Sequence, residues 1–120
     1  MQPSKAYAAV AKETASPREL ESTLLLKAAH KLQSAYDNWD DERRGLGDAV
    51  LYNRRLWTVF LDSVCDTGSQ LPTPVRQNIA NLGIFVMTES FSLMTNPKPE
   101  QLLPLININR ELAAGLRGKA

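Results

Sequence analysis

Cys65 and His30 are the only cysteine and the only histidine in the chain. Together they could in principle supply a nucleophile and its base. Helical periodicity puts them on different helices with no flanking motif, so a small buried cysteine and a surface histidine are expected instead. A single histidine excludes His-rich zinc sites. A single cysteine excludes an intrachain disulfide and points to a reducing compartment. Asp37, Asp40, Asp41 and Glu42 could attract a divalent cation, but they lack the calcium-loop spacing with its glycine and closing glutamate. They read as a solvated, charged turn. Gly45-Leu46-Gly47 follows no strand, so it is not a phosphate loop. Arg54, Arg55 and Arg76 have no histidine beside them to act as acid or base. These residues predict no catalytic, cofactor-binding or metal site, and a protein that is not an enzyme.

The polar residues that stand out are asparagines placed where a helical projection predicts burial. At ~100° per residue, Asn53 falls between Phe60 and Leu46. Asn109 falls between Leu116 and Leu102, and Asn78 lies beside Phe85 and Leu82. A buried amide without partners costs roughly 1–3 kcal/mol. The reading preferred for these three is structural: they bond one another or backbone carbonyls and fix helix register. The alternative is a polar cleft that reads a partner's backbone. Arg54 sits at the edge of the same arc as Asn53. With Arg76 and Arg110 it is a candidate to tie helix ends or acidic side chains together, its stem packed and its head partly exposed. Trp57 is expected in the core.

Those residues need helices to place them, and the chain supplies the signals. It has 120 residues, 43% of them hydrophobic and 22% charged, with a net charge of +1. This is the balance of one soluble globular domain spanning residues 1–120, and it disfavours direct nucleic-acid binding. No apolar run is long enough to span a membrane, and Met1–Ala11 predicts no signal peptide. Ser16-Pro17-Arg18-Glu19 is a capping box with proline at the first helical position. From there Leu20, Leu24, Ala28, Leu32, Ala35 and Trp39 mark one face of a first helix. A second helix should run from residue 41 or 46 to Cys65, on Leu46, Ala49, Val50, Leu56, Trp57, Phe60, Leu61 and Val64, and end before Gly68. Thr73-Pro74 predicts the cap of a third helix reaching Met94. Asn96-Pro97-Lys98-Pro99 breaks it. A fourth helix follows over about 100–116. Ala6–Ala11 allows a short leading helix. The expected fold is all-α, bundle-like and free of sheet.

The third helix carries two apolar faces. Val75, Ile79, Leu82, Val86 and Leu93 form the face expected in the core. Ala80, Ile84, Met87, Phe91 and Met94 form another, nearly opposite. A helix apolar all round is either buried on both sides or covered by a partner. Met-rich surfaces suit adaptable binding. Ile84, Met87, Phe91 and Met94 are therefore the candidate partner-binding residues, with Ala6–Ala11 the alternative cover.

The sequence also resembles the FlaF family of flagellar biosynthesis proteins. The resemblance rests on Ala6-Tyr7, residues 16–21 (Ser-Pro-Arg-Glu-Leu-Glu), Asn53-Arg54-Arg55-Leu56-Trp57, Leu71-Pro72, Val75-Arg76 and residues 105–109 (Leu-Ile-Asn-Ile-Asn). These stretches occur in the family's order across nearly the whole chain, while residues 37–47 and 88–99 carry no such signature. The resemblance implies a cytoplasmic protein that binds flagellin in the manner of an export chaperone. It also implies action alongside FlbT, a regulator of flagellin mRNA translation. The alternative reading is a post-transcriptional regulator that contacts flagellin mRNA directly or through FlbT. The resemblance brings no catalytic residues.

Overall fold

The computed structural model describes residues 17–66, 68 and 71–118. It contains four α-helices: α1 (Pro17–Asp37), α2 (Leu46–Cys65), α3 (Thr73–Thr95) and α4 (Leu102–Leu116), with a 3-10 turn, Pro99–Gln101, leading into α4. There is no strand among the described residues. None of these helices is long and apolar enough to cross a membrane. The all-α, bundle-like architecture is the expected one. Ala6–Ala11 and the capping Ser16 lie outside the described residues.

Helix α1 packs along α4 and also against α2, while α3 packs mainly against α2. The α1–α4 contact is close because small residues line it. Ser22 is fully buried and its hydroxyl donates to the Ala113 carbonyl at 2.9 Å. Ala28 and Ala29 on α1 and Ala113 on α4 are also buried, with Leu25, Leu32, Leu102, Leu105 and Ile106 filling the core. The expected α1 face is therefore rotated slightly. Leu25 is in the core, Leu24 is half-buried, and Leu20 is exposed. Serine and alanine admit the neighbouring backbone, and no hydrophobicity pattern marks that.

Asp37 closes α1, the rest of the charged segment is a turn over residues 38–45, as expected, and α2 starts only at Leu46. Gly45 ends the turn at φ 80°, a left-handed conformation that suits glycine. Two corrections concern helix ends. Thr73 lies inside α3 rather than capping it, because Pro72 precedes the helix and no side chain caps it; Thr73 Oγ1 instead accepts from Arg76 Nη2 at 3.3 Å. At the end of α2, Asp66 does the work expected of Gly68: its Oδ1 accepts the Gly68 N–H at 3.1 Å. Cys65 is exposed, not buried, because it follows the last core residue of α2, Val64. His30 is exposed.

Gly83 sets the α2–α3 approach. A Cβ at that position would lie 2.6 Å from Leu61 Cδ1 and Cδ2 and 3.0 Å from Cγ. In an open helix, Gly→Ala gains about 1 kcal/mol of propensity. Here the whole Leu61 isobutyl group must shift, an overpacking cost of about 1–3 kcal/mol. Gly83→Ala is expected to destabilise in urea titrations, and to become stabilising in a Leu61→Ala background. A single Gly83→Ala chain more stable than the parent would contradict the close packing.

On α1, burial pushes the Glu21 carboxyl above its ordinary value of 4.5, and Arg18 opposes this only in part. The folded state thus holds the proton more tightly than the unfolded one. Stability from this group falls as pH rises from 4.5 through the raised folded value, and the penalty persists at neutral pH. Glu21→Gln is expected to raise the thermal midpoint at pH 7.5 more than at pH 4.5. An equal gain at both pH values would contradict it.

Candidate interaction surface

The asparagines of α2 and α4 form one buried chain. Trp57 Nε1–H donates to Asn109 Oδ1 at 2.9 Å, and Asn109 Nδ2 donates to Asn53 Oδ1 at 2.8 Å. All three residues are fully buried. The indole fixes the direction: it can only donate, so Asn109 must offer it oxygen and turn its amide nitrogen to Asn53. Asn53 Nδ2 is left without a partner. Trp57 also meets Phe60 edge-on, with ring centroids 5.6 Å apart. The chain joins two helices inside the core and has no opening.

Asn78 does not join it. It is exposed, and the expectation of burial beside Leu82 and Phe85 is corrected. Leu82 is half-buried, Phe85 is 38% exposed and Val75 is 41% exposed. The buried line of α3 is Ile79, Gly83, Val86, Ser90 and Leu93. Two of its members are small polar or side-chain-free residues, which hydropathy does not favour. Gly83 admits Leu61, and the Ser90 hydroxyl is satisfied by the Val86 carbonyl at 2.6 Å. Arg54 is exposed, with no side-chain partner among the described residues. Arg76 reaches Thr73, and Arg110 Nη2 donates to Gln33 Oε1 at 3.4 Å, linking α4 to α1.

The opposite side of α3 faces outward. Ile84 is 67%, Phe91 70% and Met94 55% exposed. Met87, the fourth candidate, is half-buried and packs against the core. The two threonine hydroxyls on this face bond backbone carbonyls within the helix. Thr88 Oγ1 donates to the Ile84 carbonyl at 2.9 Å and Thr95 Oγ1 to the Phe91 carbonyl at 3.2 Å. Gln77 Nε2 donates to Asn81 Oδ1 at 3.1 Å. With their hydroxyls turned to the backbone, the two threonines have their methyl groups left to present. This face can be covered without stranding those donors. It is also uncharged: α3 carries only Arg76, half-buried, and Glu89, whose carboxylate accepts from Gln101 Nε2 at 3.3 Å. Gln101 Nε2 also donates to Ser92 Oγ at 2.7 Å, so the 3-10 turn braces the far flank of α3.

At its C-terminal end the face runs into an open cleft of about 630 Å³. Met94, Thr95 and Pro97 form one wall, and Glu42, Arg43 and Leu46 the other. Glu42 and Arg43 both adopt left-handed backbone, at φ 53° and 55°. That costs a non-glycine residue about 1–2 kcal/mol each. Arg43 lies over the Trp39 ring at 6.0 Å, and Arg44 pairs with Asp41 at 2.7 Å. The turn thus puts Glu42 and Arg43 on the cleft wall that faces Met94 and Thr95. Sequence reasoning found the apolar members but missed Thr88, Thr95, Asn81 and Gln77. Their alternating spacing of three and four with Ile84 and Phe91 was the available signal. Among the described residues no cluster of His, Cys, Asp and Glu could hold a metal ion.

The sequence model of a family described as flagellar protein FlaF matches residues 3–116. No curated protein and no solved structure matches the chain.

Proposed function

This chain belongs to the FlaF family of flagellar proteins, and from that premise we propose that it binds flagellin in the cytoplasm before export. In this reading it is a non-enzymatic secretion chaperone that also regulates flagellin synthesis, with FlbT as a further partner. The observation that carries the reading is the outer face of α3. Ile84, Phe91 and Met94 lie open on a helix face that carries no charge, and the Thr88 and Thr95 hydroxyls on it already bond backbone carbonyls. An amphipathic helical segment of unexported flagellin suits such a face, laid helix against helix. Phe91 is the anchor, since a central aromatic commonly dominates contacts of this kind.

A second reading, contact with flagellin mRNA, draws on one patch. Tyr52 lies between Lys27 and Lys31, whose ammonium groups sit 5.5 and 5.1 Å from the ring centroid. Asp48 takes Lys31 at 2.9 Å and offsets part of that charge. Co-purification from flagellated cells separates the readings. Flagellin protein held through a salt wash supports the chaperone. Flagellin mRNA without the protein, released steeply by salt, supports the RNA reading and sinks the first.

A further inference from the structure

We draw no further inference here: the strongest candidate, the exposed apolar line on the outer face of α3 where it runs into the cleft beside Glu42 and Arg43, belongs to the surface already described, and nothing among the described residues shows what else covers it.

Discussion

Asn109→Ala is expected to cost about 3–5 kcal/mol of unfolding free energy, because it strands two groups at once, each worth about 1–3 kcal/mol when buried and unpaired. Trp57 Nε1–H loses its acceptor and Asn53 Oδ1 loses its donor, both in fully buried residues. The small cavity left by the amide adds to the loss. Asn53→Ala should lower the unfolding midpoint less. It leaves Asn109 Nδ2 unpaired, but it also removes an amide nitrogen that already lacks a partner. It should leave flagellin affinity per folded molecule unchanged, because the chain of amides lies inside the core and away from α3's outer face. Urea unfolding of both variants measures this. A loss below about 1 kcal/mol for Asn109→Ala would show that the pairing contributes little to stability. A stable Asn53→Ala protein that fails to bind flagellin would show that this residue reads a partner.

Helix positions were legible because proline and capping residues are local signals. Pro17, the 96–99 break and the polar 37–44 run each fall where a helix starts or stops. Pro104 is accommodated because it lies in the first turn of α4, where its missing N–H costs nothing. The α2 and α4 faces were also legible, including Asn53 and Asn109, because each helix has one dominant apolar arc. Helix α3 was not, for a definite reason. It is apolar on two sides, and the buried side is the one with a glycine and a serine. Close approach to α2 requires a residue without a side chain opposite Leu61, and hydropathy counts that as a gap. Asn78 was consequently placed inward, and Val75 with it. Ser22 was missed for the same reason at the α1–α4 contact. The threonine hydroxyl bonds on the outer face follow from backbone geometry and could not be read from residue types.

The same outer face gives the second large effect. Phe91→Lys is expected to weaken flagellin binding at least tenfold, about 1.4 kcal/mol or more, as loss of a central aromatic anchor does. It should barely affect stability, because the side chain is 70% exposed and contributes little to the core. The substitution also places a charge on a face that has none. Isothermal titration of purified flagellin into parent and Phe91→Lys chains, with circular dichroism on both, is the direct test. Parent binding, with a variant that keeps the parent's spectrum and melting temperature yet loses most of its affinity, is the predicted result. A folded variant that binds flagellin as tightly as the parent, or a parent that does not bind at all, would contradict the account.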